Sequence, residues 1–183
     1  MEALEADNFL PKVLSIVISL LTTSCVIVVA SIVFPARRSN PEAHAPLRAS
    51  DDVMGILRRA CFDCHSNETR WPWYSALAPV SWLVAHDVAT GRRELNFSEW
   101  YSYLPEVRRR KLLWIGRAVG DGTMPPRLYQ LVHRGSRLTK AQRSLILRWL
   151  KDELNKLDCR SERLDSASRS LVARLDLHPE VGR

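Results

Sequence analysis

The chain has no strong strand pattern, no internal repeat and only four cysteines. Without alternating apolar runs a sheet cannot frame the fold, and a helical class remains. Without a repeat, stacked-repeat architectures are excluded. No Lys/Arg-rich recognition element or base-stacking motif is present either, so the net charge of +7 reads as a solvated basic face. Wholesale disorder is excluded, because 46% of the residues are hydrophobic and 26% are charged. A length of 183 residues allows one ordinary domain with attachments, and not two large ones.

Charge itself is missing from one long stretch. Val13 to Phe34, VLSIVISLLTTSCVIVVASIVF, is 22 residues without an acid or a base. As a helix at about 1.5 Å per residue it extends about 33 Å, enough to cross a hydrocarbon core of about 30 Å. A cleaved signal has a shorter apolar run and a small-residue exit, and Phe34-Pro35 offers none. A lipoprotein signal ending at Cys25 fits poorly, because "TTS" precedes it and the apolar run continues beyond it. The expectation is an uncleaved single-pass anchor, with Cys25 a small apolar residue inside it. Lys12 lies before the run and Arg37 and Arg38 follow it, which by charge alone mildly favours a cytoplasmic C-terminal domain.

The rest reads as helices and loops. "SDDVMGILRRACFDCH" has Ser50 at an N-cap position, Asp51 and Asp52 in a first turn, and Arg58 and Arg59 near the end. Val53, Ile56, Leu57 and Ala60 make its apolar stripe. This helix delivers Cys61 and Cys64 from its C-terminal end. Residues 66–103 read as largely irregular, with a short helix over Ser81–Thr90. "LPEVRRRKLLWIGRAVGDG" predicts a helix from Pro105, with Gly120 just past the last turn. A Pro-containing loop follows, and then a helix opening at Thr139 with Gln142 as a capping box.

Cys61, Cys64 and His65 stand as Cys-x-x-Cys-His. Three chemistries use this cysteine spacing. A structural zinc site wants a second ligand pair, and Cys25 and Cys159 are too scattered to supply one. A thioredoxin-like pair sits at a helix start after a strand, whereas this pair follows a helix. Covalent haem fits: two thiols at this spacing add to the two vinyl groups on one porphyrin edge, and the adjacent histidine ligates the iron. Such a site expects a sixth ligand downstream. Met124, in "GDGTMPPRLY", is stiffened by two prolines and is the expected ligand. Its alternative is a gap-filling core residue. His86 and His133 are the rival ligands, while His44 and His178 are poorly placed. Trp71, Trp73 and Tyr74 are expected to wall the haem, and Arg92 is a candidate for a haem propionate.

The stretch from Cys61 to Trp100 is similar to the bacterial small haem-binding domain family, a cytochrome-c-like group. The resemblance rests on Cys-x-x-Cys-His-Ser-Asn at Cys61–Asn67, Trp-Pro-Trp-Tyr at Trp71–Tyr74 and Pro-Val-Ser-Trp at Pro79–Trp82. Gly91-Arg92, Asn-Phe-Ser-x-Trp at Asn96–Trp100 and Met124-Pro125-Pro126 complete it. It implies haem binding and a cytochrome-c-like helical fold; with the apolar run, the expectation is an all-α haem domain with long irregular loops and one haem c per chain, preceded by one transmembrane helix. The expected division is a flank over 1–12, an anchor over 13–34, a Pro-rich spacer over 35–49, a haem domain over 50–157 and a charged tail over 158–183.

The functional expectation is a membrane-anchored mono-haem cytochrome with His65 and Met124 on the iron, exchanging electrons with redox partner proteins. No catalytic triad, substrate-pocket motif or second haem motif is present, so an electron carrier rather than an enzyme is expected. The alternative is a haem-based sensor or gas-binding module signalling at the membrane. A scaffold without haem would leave Cys61 and Cys64 as thiols or a disulfide. Haem c is attached outside the bacterial cytoplasmic membrane, so the domain is expected to face the periplasm, against the Arg37-Arg38 signal. Cys159 leaves an intermolecular disulfide open.

Overall fold

A computed structural model describes residues 9–176. Every regular element among them is helical. In order these are α1 (Phe9–Val33), α2 (Asp51–Ala60), α3 (Phe62–His65), α4 (Val80–Glu94), α5 (Pro105–Gly120), α6 (Arg127–Val132) and α7 (Lys140–Asp176). Short 3-10 segments lie at Trp73–Ala76, Phe97–Ser102 (kinked at Glu99) and Arg134–Ser136. The chain forms two compact units, each assembled from two stretches. One takes residues up to Glu42 and Asp63–Asn96, and the other takes Ala43–Phe62 and Phe97 onward.

In the first unit, α1 is long and apolar enough to cross a membrane, and none of its apolar window is buried among the described residues. α4 is longer than the sequence suggested, because the helix continues through Gly91 and ends with Arg92 and Arg93 in its last turn. Those cations suit the negative end of the helix dipole. Pro72 and Pro79 each stand just before a helical turn, where a fixed φ and a missing N–H cost nothing. They turn a stretch expected to be irregular into a 3-10 turn followed by α4.

In the second unit, the stripe of α2 is buried as its spacing predicts, at Val53, Ile56, Leu57 and Ala60. α2 packs against α7 and the 134–136 turn, and α5 runs along α7. Leu112, Ile115, Ala118 and Val119 of α5 are buried, as are Ile146, Trp149 and Leu150 of α7. Each large apolar side chain withdrawn from water here contributes about 1.5–3 kcal/mol before chain entropy is counted. Phe62 stacks on Phe97 at 5.4 Å, and Phe97 meets Trp100 at 6.1 Å. Residues 45–47, which the sequence places in a spacer, are bonded down. Ala45 N–H donates to Ser98 O, Leu47 N–H to Phe97 O and Tyr101 N–H to Ala45 O.

The capping box at Thr139 forms as expected: Gln142 N–H donates to Thr139 Oγ1 at 3.2 Å, and Thr139 N–H to Gln142 Oε1 at 3.0 Å. α7 then continues without a break through 158 to Asp176, so the charged tail is helical as far as it is described. Gly120 is the last helical residue rather than the one beyond. The left-handed turn falls instead on Gly122, at φ 70°, where only glycine is unstrained.

Candidate functional site

α2 ends at Ala60. Cys61 breaks the helix at φ −127° and ψ −36°, while its N–H still donates to Leu57 O. α3 restarts the chain at once and carries Cys64 and His65. Neither Cys61 nor Cys64 is in a disulfide, and both are half-buried. The Cys64 thiol is pushed up to about 11, first by burial and then by the Asp87 and Asp63 carboxylates, with Arg92 opposing. A thiol held protonated at neutral pH is the opposite of a thioredoxin-like nucleophile. Among the described residues no group of three or more His, Cys, Asp and Glu side chains is arranged to hold a metal ion.

His65 is buried, and its Nδ1 lies 2.9 Å from Gly91 O and 3.2 Å from Leu95 O. Carbonyl oxygens only accept, so Nδ1 carries a proton. This is how a ligating histidine is oriented: one nitrogen tied to the backbone, the other presented to a metal. The acceptors come from the last turn of α4 and from Leu95 just beyond it, and this end of the helix lies directly on the cysteine turn. A Cβ added at Gly91 would stand 2.5 Å from Cys64 O and 3.1 Å from Cys64 C and Cβ. Only glycine permits that approach.

The polar residues after His65 hold the turn in place. Asn67 Nδ2 donates to Glu42 O, and Asn67 Oδ1 accepts from Asn96 Nδ2. Thr69 Oγ1 donates to Asp63 O, and Asp63 Oδ1 accepts from the Arg70 backbone N–H at 3.1 Å. Arg92 ties three segments together. Its Nε donates to Ser66 O at 2.7 Å and its Nη1 to Ser39 O at 2.8 Å. Its Nη2 donates to Asn40 Oδ1 and to Thr69 Oγ1. The acceptors of this guanidinium are therefore chain oxygens around the motif. Trp71 also reaches Asn40, donating from Nε1 at 3.2 Å. Trp73 is 79% exposed and meets Tyr74 edge-on at 5.8 Å. Burial, Asp63 and Cys64 raise the Tyr74 hydroxyl above its ordinary value.

Met124 belongs to the second unit and is half-buried in the loop after α5. Met124 N–H donates to Ala118 O at 3.1 Å and Thr123 Oγ1 to the same oxygen at 3.2 Å. Arg143 of α7 caps the end of α5, donating from Nη1 to Val119 O and Gly120 O. The loop is thus held by the helix before it and the helix after it. Of the rival histidines, His133 stacks on Tyr129 at 4.2 Å, whereas His86 is exposed on α4.

A sequence profile described as a haem-binding domain matches residues 25–152. The chain belongs to the haem-binding domain family. No curated protein and no solved structure matches it. The haem-binding match begins inside α1, so the end of the apolar helix is part of the family pattern, and it stops before the exposed half of α7.

The donors present fit a haem. Two thiols flank one turn beside an imidazole whose Nδ1 is held by backbone carbonyls, and the thioether of Met124 stands in a loop of the other unit. Sequence reasoning missed the carbonyls of Gly91 and Leu95, and the role of Asn40 and Glu42. Backbone oxygens have no sequence signal, and two polar residues in a Pro-rich segment look like solvated spacer.

Proposed function

We propose that this haem-binding protein is a membrane-anchored c-type cytochrome that carries electrons and is not an enzyme. Cys61 and Cys64 hold one haem through thioethers, His65 Nε2 is the proximal ligand and Met124 the distal one. The bound haem supplies one-electron chemistry at its iron, and a methionine ligand raises the potential. The chain's part is to orient His65 through Gly91 and Leu95, to hold the cysteine turn through Asn67, Thr69 and Arg92, and to fix the Met124 loop through Arg143. The observation that carries the reading is the commitment of His65 Nδ1 to two backbone carbonyls beside a cysteine pair at haem-attachment spacing. Partners are redox proteins. α1 anchors the chain in the bacterial cytoplasmic membrane with the haem domain in the periplasm, where thioether attachment takes place.

The test is a reduced-minus-oxidised spectrum of the full chain made with cytochrome maturation machinery, for wild type, Met124→Ala, His86→Ala and His133→Ala. Haem should remain attached after denaturation, and only Met124→Ala should change the ligation spectrum. Haem that leaves on denaturation sinks the c-type reading. A wild-type spectrum of five-coordinate iron favours the sensor reading instead. A reporter active only in the periplasm, fused to the C-terminus, checks the topology.

A further inference from the structure

The first unit contains a cleft at the end of α1 that shares Arg92 with the clamp of the cysteine turn. Two hydrogen bonds set its position. Ala78 N–H donates to Ser31 Oγ at 2.9 Å, and Trp82 Nε1 donates to Phe34 O at 2.8 Å. The start of α4 is therefore fastened to the last turn of the apolar helix. Large apolar side chains around this junction face outward: Trp73, Leu77, Val80, Trp82 and Leu83 are all exposed. A patch of this kind marks a contact surface, and tryptophans prefer the headgroup level of a bilayer.

Beside the junction lies a cleft of about 390 Å³, within the size range of small-ligand sites. Arg37, Trp71, Trp82, His86 and Arg92 line it, together with small and apolar residues and no acid. Cys61, Cys64, His65 and Met124 are not among its walls. Arg92 is already bonded to chain oxygens. Arg37 is exposed and pairs with no acid among the described residues. The cleft thus presents one unpaired guanidinium, four residues beyond the end of α1, and one imidazole over aromatic walls.

We propose that this cleft binds the headgroup of an anionic phospholipid from the bilayer that α1 crosses. Arg37 pairs with the phosphate, His86 offers a second donor, and the Trp71 and Trp82 rings wall the glycerol region. Trp73, Leu77 and Leu83 rest in the boundary between headgroups and acyl chains. The site rests on the reading of α1 as a membrane anchor, and it makes the junction a lipid-dependent brace for the haem domain.

The experiment uses the full haem-loaded chain in nanodiscs of equal phosphatidylcholine and phosphatidylglycerol, with retained lipid read by native mass spectrometry. Incorporation into the discs is scored first. Wild type should keep one phosphatidylglycerol, with a preference over phosphatidylcholine of about fivefold for one basic contact. Arg37→Gln should lose that preference. Arg38→Gln, which removes the same charge next door but outside the cleft, should keep it. Ala89→Phe, which fills the cleft without changing charge, should lose the retained lipid. Equal retention of the two lipids by wild type overturns the proposal. So does an equal loss in Arg37→Gln and Arg38→Gln, which means diffuse attraction only. A chain that stays outside the discs sinks the anchor and, with it, the occupant of the cleft. A chain that incorporates without preference sinks the cleft alone.

Discussion

Gly91→Ala tests the seating of α4 on the cysteine turn. The new methyl would sit 2.5 Å from Cys64 O, against about 3.3 Å for an unstrained carbon–oxygen approach. Both sides of the contact are backbone, so no flexible side chain can yield. α4 must therefore withdraw by roughly 1 Å at this point. The His65 Nδ1 contact to Gly91 O then lengthens from 2.9 Å to beyond hydrogen-bond range. Overpacking costs about 1–3 kcal/mol, and a lost hydrogen bond about 1 kcal/mol more. Alanine returns about 1 kcal/mol of helix propensity. The net is a destabilisation of about 2 kcal/mol, accompanied by less covalent haem per chain. Gly55→Ala is the matched control: it is an exposed helical glycine on α2 with nothing within 4 Å of the added methyl, so it should stabilise by about 0.8–1 kcal/mol. Urea unfolding of the full chain in detergent, followed by circular dichroism, gives both midpoints. If Gly91→Ala unfolds at or above the midpoint of Gly55→Ala, the close approach of α4 to the turn is wrong.

Arg92→Lys keeps the charge but loses the planar fork that reaches Ser66, Ser39, Asn40 and Thr69. It should cost about 1–2 kcal/mol for a partly exposed cluster, read from the same unfolding curves, and lower the haem yield. Thr139→Ala removes one half of the capping box and should destabilise the start of α7 by about 1 kcal/mol without altering the haem spectrum. The Glu99 carboxyl is held below its ordinary value of 4.5, chiefly by the hydrogen bond from His44 and secondarily by Ser102. Its folded value is lowered, so its contribution is present above the ordinary value and is lost as pH falls through the folded one. Glu99→Gln should therefore flatten the acid side of the stability curve below about pH 4.5, by a small and salt-sensitive amount because the pair is exposed.

Periodicity explains which helices were legible. The α2 stripe, the Pro105 start and the Thr139–Gln142 capping box are local, and each forms as its residues dictate. α4 was read too short because its last turn has no apolar stripe of its own. It is helical there because Gly91 packs on Cys64 and Arg92 is bonded on several sides. Residues 39–47 looked like solvated spacer because their bonds use backbone atoms and distant partners, such as Glu42 O to Asn67 and Leu47 N–H to Phe97 O.

By itself the sequence determined the helical class, the apolar helix and the Cys-x-x-Cys-His turn, because each depends on neighbours within a few residues. Covalent spacing alone puts two thiols and an imidazole together. Tertiary structure decided how that imidazole is held. His65 Nδ1 is fixed by carbonyls 26 and 30 residues away, and the turn is clamped by Arg92 and Asn67 across similar distances. It also decided that Trp82, Arg37 and His86 share one cleft at the end of α1. Carbonyl oxygens are the same in every residue, and a cleft is made of surfaces, so neither has a signature that the order of side chains could reveal.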